Sequence, residues 1–269
     1  MAETARPTRP LTPGDAWAFT ARHAAETTFF FDFDGVLSPV TDDPDASQPV
    51  PGAVDVLERL GGVVSRVAIV SARPVDFLRS RFGALEHVDL YGLYGLEVWH
   101  DGQVVTEPTA LEYVETMREL AERARVELGE PVLVEYKRIA VALHYRLDPS
   151  RADDVKRWAH DQAERQELRI QNGRMVVELK PPVQQDKGMV IAEAVRGTRC
   201  AWYFGDDMSD IKAFTALHDH EAGDPSFLGM AVAVANPETG AEVSRAADLT
   251  LDSPETVAAF LTEGLDRLR

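Results

Sequence analysis

Two carboxylates, Asp32 and Asp34, stand at the carboxyl end of an apolar run, Thr27–Phe33, and a glycine follows them at once. With 45 Asp and Glu among 269 residues, chance alone supplies about seven acid-x-acid pairs, so the spacing means nothing by itself. Position gives it meaning. Isolated buried charge is very costly, so a buried strand that ends in two carboxylates calls for a counter-charge. Ligands of open α/β sheets also bind at the carboxyl edge of the strands. The fitting partner is a hard, oxygen-seeking cation such as Mg²⁺.

A second acidic group, Asp206, Asp207 and Asp210 in GDDMSD, follows the apolar run CAWYF. Helix capping is an alternative account of Ser209 and Asp210, but it explains Asp206 and Asp207 poorly. Two such strand ends in one sheet would converge on a single cation site. A phosphate dianion arriving there would need donors. Ser71 follows the run RVAIV and precedes Ala72-Arg73-Pro74, so its hydroxyl and the next helix's amides could hold phosphate oxygens. Lys187 opens a helical segment and could add a point charge. Singly each is weak, since Ser71 could be a plain N-cap and Lys187 a solvated residue. Their order along the chain carries the information.

The elements that must position these groups alternate. Thr27–Phe33 is apolar on both faces, as in a strand buried in a parallel sheet. A helical pattern (Val54, Leu57, Leu60), the strand Arg66–Val70 and a helix opened by Pro74 follow, giving β-α-β-α order. Between about Trp99 and Pro182 the pattern changes. An Asp101-Gly102 hairpin, a long amphipathic helix, the alternating strands VLVEYK and IAVALHYR, a polar helix and a hairpin turned by Asn172-Gly173 read as αββαββ with antiparallel strands. The βα rhythm then returns, with a helix Lys187–Arg196, strands CAWYF and MAVAV, a helix near Glu238–Arg245 and a last helix capped by Ser253-Pro254. The expected fold is a Rossmann-like α/β core, residues 1–98 and 183–269, interrupted by a smaller α+β domain, residues 99–182.

Composition narrows the partners. The formal charge of −17 argues against nucleic acid and anionic membrane, which recruit clustered Lys and Arg. No stretch approaches the roughly 18 apolar residues a membrane span needs, and MAETARPTRPLTPGD lacks the apolar core of a signal peptide. The single cysteine, Cys200, sits in an apolar run as a buried free thiol. A cytoplasmic monomer acting on a small molecule is expected.

The order strand-DxDG, strand-S, K-helix, strand-GDDxxD resembles the haloacid-dehalogenase-like phosphatases, and more narrowly the trehalose-6-phosphate phosphatases. DFDGVLSPV, SARP, QDKG and GDDMSD look like that superfamily's four motifs, and the αββαββ block resembles the subgroup's cap. The resemblance implies that Asp32 attacks phosphorus to form an aspartyl-phosphate. Asp34 would be the general acid/base, its carboxyl kept protonated by neighbouring carboxylates or desolvation. Mg²⁺ would be held by Asp32, the Asp34 carbonyl and Asp206, with Asp207 or Asp210 adjoining. Ser71 and Lys187 would stabilise the transferring phosphoryl group, and Arg73 would bind substrate. In the cap, Glu135, Lys137 and Glu178 would contact the sugar, although the residues alone read more readily as an exposed cross-strand ion pair. His144 and Arg146 share a strand face, as cap packing or as phosphate contacts. Ser71-Ala72-Arg73 departs from the usual Ser-Gly-Arg, Tyr94-Gly95 from His-Gly, Gln185 from an aromatic and Ile211 from Glu. These departures leave every catalytic position filled. Rival readings keep the chemistry with another sugar phosphate or a trehalose-like pseudo-disaccharide phosphate, or replace it with a phosphomutase. A degenerate phosphosugar-sensing domain would have lost Asp32 or Asp34.

Overall fold

In the computed structural model, which describes residues 12–41, 43–83, 85–100, 102–173, 175–236 and 239–268, twelve strands form in chain order. They are β1 (Thr27–Phe31), β2 (Arg66–Val70), β3 (Val88–Gly92), β4 (Glu97–His100), β5 (Gln103–Thr106), β6 (Leu133–Tyr136), β7 (Val141–His144), β8 (Arg169–Gly173), β9 (Val176–Lys180), β10 (Cys200–Gly205), β11 (Leu228–Val234) and β12 (Leu249–Leu251). The helices are α1 (Pro13–Arg22), α2 (Ala53–Gly61), α3 (Val75–Phe82), α4 (Pro108–Leu111), α5 (Val114–Leu128), α6 (Ala152–Gln166), α7 (Lys187–Ala194), α8 (Asp210–Gly223), α9 (Ala241–Ala246) and α10 (Pro254–Leu265). The residues of the signal-peptide argument up to Leu11, together with Asp101 and Glu238, lie outside the described residues.

The chain divides into two compact units, one running to Gln103 and resuming at Gln185, the other Val104–Gln184. A sheet ordered β12-β11-β10-β1-β2-β3-β4-β5 organises the first, with β12 to β3 parallel throughout. β1 is buried at every position, and its side chains alternate between two cores. Phe29 and Phe31 join Trp202 and Phe204 under α1, α2 and α10, while Phe30 joins Ala201 and Tyr203 under α7, α8 and α9. Helices on both faces of a parallel sheet are what two-sided apolar strands require. Strand order reverses between β1 and β10, the switch point where such sheets bind ligands.

β4 pairs antiparallel with β3, Gly92 opposite Glu97 and Leu90 opposite Trp99. Trp99 and His100 therefore extend the first unit's sheet, and that unit runs to Gln103, five residues past the boundary at 98 that the sequence pattern suggests. In the second unit, an antiparallel sheet β6-β7-β9-β8 buries one face against α5 and α6. The Asn172-Gly173 turn is corrected. Gly173 pairs with Val176 and Asn172 with Val177, so both residues continue β8, and Met175 takes the positive φ of 57° in the turn. Among the described residues no helix is long and apolar enough to cross a membrane.

Candidate active site

Neighbouring parallel strands β2, β1, β10 and β11 deliver Ser71, Asp32, Asp206 and Asn236 just past their carboxyl ends. After β1 the chain reverses at once. The Gly35 N–H donates to the Ser38 carbonyl at 2.7 Å, with Gly35 at φ +78°. A Cβ there would overlap the Asp206 carboxylate, and one at Gly205 would overlap Asp210. Only glycine lets these carboxylates crowd together.

Lys187, 1% exposed at the start of α7, is the cation among them. Its Nζ donates to Asp32 Oδ2 at 2.5 Å and to Asp210 Oδ1 at 2.7 Å. Asp210 also accepts from the Tyr203 hydroxyl at 2.7 Å and from the backbone N–H groups of Asp206 and Asp207 at 2.9 and 3.0 Å. Its two oxygens thus take four hydrogen bonds, about the capacity of a carboxylate. Asp206 Oδ2 accepts from Asn236 Nδ2 at 2.8 Å, and Asp207 Oδ1 from Ser209 N and Oγ at 2.7 and 2.6 Å.

One buried lysine faces Asp32, Asp206, Asp207 and Asp210, and the site is short of positive charge. Burial pushes the Asp32 carboxyl up to about 8, with Lys187 pulling it back and Asp210 and Asp207 adding to the rise. Burial and the charges of Asp210, Asp32 and Asp207 lift Asp206 well above its ordinary value. Burial also raises Asp210 against the pull of Lys187. Asp207 goes the other way: despite desolvation, Lys187 and Ser209 hold it low. Burial opposes the Lys187 charge, yet Asp210 and Asp32 keep the ammonium well above its usual range. Asp32, Asp207 and Asp210 each offer an oxygen within 4.8 Å of the others. An all-oxygen set lacking positive charge suits a hard divalent cation.

Ser71 is buried, and its Oγ accepts from Arg73 N at 3.2 Å. It is not the N-cap of α3, where Pro74 stands, and the first helical N–H, that of Val75, is taken by Glu97 Oε2 at 3.0 Å. The expectation that the leading amide of α3 would hold phosphate is therefore corrected, while the hydroxyl stays in place. Arg73 is turned to Asp34. Its Nε and Nη2 donate to Asp34 Oδ2 and Oδ1 at 2.7 and 2.9 Å, and Ser47 Oγ donates to the same Oδ1 at 2.9 Å. A guanidinium and a hydroxyl, rather than the neighbouring carboxylates foreseen from the sequence, therefore meet the Asp34 side chain.

In the second unit, Glu135, Ala142, Glu178 and Gln171 lie in one register row across β6-β7-β9-β8, on the face opposite the apolar core. Lys137 Nζ donates to Glu178 Oε1 at 2.9 Å and lies 3.7 Å from Glu135 Oε2, which His144 Nε2 meets at 2.9 Å. The Lys137 and Glu178 side chains are only 7% and 5% exposed, which removes the reading as a surface ion pair.

Ser47, Tyr203 and Asn236 were not singled out from sequence. Asn236 had the strand-end signal, following MAVAV as Asp206 follows CAWYF. Ser47 and Tyr203 had none.

The trehalose-phosphatase family profile matches residues 30–255. The trehalose-phosphate phosphatase of Mycobacterium leprae is 34% identical over 259 residues, 91% of this chain and 58% of that protein. That of Mycolicibacterium paratuberculosis is 35% identical over 266 residues, 95% of this chain and 65% of its own length. The chain thus spans about three fifths of these relatives. Among solved structures, a trehalose-6-phosphate phosphatase related protein superposes with a TM-score of 0.74 at 23% identity, covering 89% of this chain and 97% of that one. The C-terminal domain of C. albicans trehalose-6-phosphate phosphatase gives 0.77 at 19%, covering 96% and 98%. The chain thereby shares the fold of these two structures.

Proposed function

Because the chain belongs to the trehalose-phosphatase family, we propose that it hydrolyses trehalose 6-phosphate to trehalose and phosphate. The observation that carries this reading is Asp32, 6% exposed at the switch point, with Lys187 Nζ 2.5 Å from one oxygen. An Asp32 oxygen attacks phosphorus. The bond from phosphorus to the sugar oxygen breaks, and that oxygen keeps the electron pair and takes a proton from Asp34. Asp34 then removes a proton from water, whose oxygen attacks the same phosphorus. The Asp32–phosphorus bond breaks, and the carboxylate and inorganic phosphate are regenerated.

Lys187 has three N–H bonds; Asp32 and Asp210 engage two, and the third serves a phosphoryl oxygen. The Ser71 hydroxyl donates to another. We assign a Mg²⁺ to Asp32, the Asp34 carbonyl, Asp206 and Asp207. Asp210, its acceptor capacity filled by Lys187, Tyr203 and two amides, acts as their organiser. When bound, the ion supplies positive charge between an anionic nucleophile and an anionic ester. Glu135, Lys137 and Glu178, a buried set of donors and acceptors on rigid strands, are assigned to the sugar hydroxyls. A cytoplasmic monomer is the setting in which this reading places the chain.

The test is phosphate release from a panel of sugar phosphates, with Mg²⁺ and with chelator, and with Asp32→Asn as control. Trehalose 6-phosphate should be turned over best, with activity lost on chelation and in the variant. Activity surviving Asp32→Asn would sink the mechanism, and turnover of only a monosaccharide phosphate would sink the substrate.

A further inference from the structure

Resting on that phosphatase reading, we propose that Arg73 is a positioning residue for Asp34, held by an arginine–phenylalanine–arginine cluster, and that it fixes which Asp34 oxygen handles the proton. The Asp34 side chain is 33% exposed, so packing alone does not hold it, whereas that of Arg73 is 9% exposed. Arg73 presents a planar fork, Nε to Oδ2 at 2.7 Å and Nη2 to Oδ1 at 2.9 Å. Two parallel charge-assisted bonds set the plane of the carboxylate as well as its place. Ser47 Oγ adds a bond to Oδ1. A carboxylate offers about four acceptor positions. Arg73 and Ser47 fill three, both positions on Oδ1 and one on Oδ2. The position left over is on Oδ2, which makes Oδ2 the oxygen that gives the proton to the sugar and takes it back from water.

The fork is itself braced. Two guanidiniums lie over the Phe77 ring of α3, Arg73 Cζ at 4.5 Å and Arg81 Cζ at 4.4 Å from its centroid. Arg81 in turn donates through Nε to the Ser47 carbonyl at 2.9 Å and through Nη2 to the Asp45 carbonyl at 2.6 Å. One helix therefore orients both donors to Asp34, Arg73 directly and Ser47 through its loop. An Arg73 that bound the sugar would not need this arrangement. A merely structural ion pair would not need the hydroxyl on the same oxygen.

The experiment uses esters without a sugar, so that leaving-group chemistry alone varies. p-Nitrophenol departs readily as an anion and needs little protonation; phenol needs more. kcat/KM reports the steps up to loss of the alcohol and is measured with Mg²⁺ for p-nitrophenyl and phenyl phosphate in wild type, R73A, R73K and S47A. R73A should lose roughly 10²-fold on phenyl phosphate, within the range general acid catalysis contributes, and about tenfold less than that on p-nitrophenyl phosphate. S47A should shift the ratio the same way by a smaller factor. R73K keeps the charge without the fork and should leave the ratio disturbed. Equal losses on both esters, or a ratio restored by R73K, would overturn the positioning role while leaving the phosphatase reading intact. A wild type that releases phosphate neither from these esters nor from trehalose 6-phosphate overturns the phosphatase reading and this inference with it. If R73A fails to fold, S47A carries the test, and an unshifted ratio there refutes the proposal.

Discussion

Replacing Lys187 by methionine removes the ammonium buried among Asp32, Asp206, Asp207 and Asp210 while keeping the volume of the side chain. The two bonds lost, at 2.5 and 2.7 Å, are to groups 6% and 0% exposed, so water cannot take over from the ammonium. Removing one partner of such a buried pair costs about 3–5 kcal/mol. The loss must depend on pH, and its sign follows from the carboxyls. Asp32 is raised by burial from 3.8 to about 8 even beside Lys187. Between those values the native state holds a proton that the unfolded chain has released, and stability falls as pH rises through the window. Without Lys187 the window extends upward. At pH 6 protonation relieves most of the missing counter-charge, and at pH 9 it relieves much less. Urea unfolding followed by circular dichroism at the two pH values, without divalent ions, should show K187M destabilised at both and more so at pH 9. Added Mg²⁺ should recover part of the loss at pH 9. A variant as stable as wild type, or one hurt more at pH 6, would refute the electrostatic account of this cluster.

Other perturbations separate neighbouring parts of the argument. Gly35→Ala places a Cβ against the Asp206 carboxylate at φ +78° and should cost about 1–3 kcal/mol in chemical denaturation, with phosphate release lost. Cys200 is fully buried and its thiol pushed up to about 11, so iodoacetamide at pH 8 should leave the native protein unlabelled and modify it fully in urea. Labelling of the native protein would show that α1 opens away from β10. Glu178→Ala should lower turnover of trehalose 6-phosphate far more than that of p-nitrophenyl phosphate; equal losses would make Glu178 structural.

What the sequence makes legible here is whatever follows from the position of a residue along a strand. Asp32, Ser71 and Asp206 can be read as site residues because apolar runs point to buried parallel strands, and a polar residue just past such a run falls at the ligand-binding edge. The same rule covers Asn236, whose amide reaches Asp206 at 2.8 Å, although an amide carries less of a chemical signature than a carboxylate. Direction is what the chain does not spell out. That Arg73 turns to Asp34 depends on a rotamer chosen by Phe77 and Arg81, and that Ser47 joins it depends on a loop anchored through its carbonyls. The Asn172-Gly173 pair shows the converse error. A strong local turn signal yields when cross-strand pairing with Val176 and Val177 decides the register.

The carboxylates of the site differ less by sequence than by what already occupies them. Asp210 has four donors and can do nothing further without losing one, and its two backbone bonds set the loop that carries Asp206 and Asp207. Asp34 has three, from partners that leave one position on one oxygen. Asp32 has two, the Lys187 ammonium on one oxygen and the Phe33 N–H on the other at 2.6 Å, and a raised affinity for positive charge. Glycines at 35 and 205 permit the crowding that makes these groups compete for one lysine. A chain of net charge −17 can therefore receive a phosphate dianion only where that competition is relieved. Asp32, with one donor on each oxygen and a carboxyl raised by burial, is the group the proposed reaction uses as nucleophile.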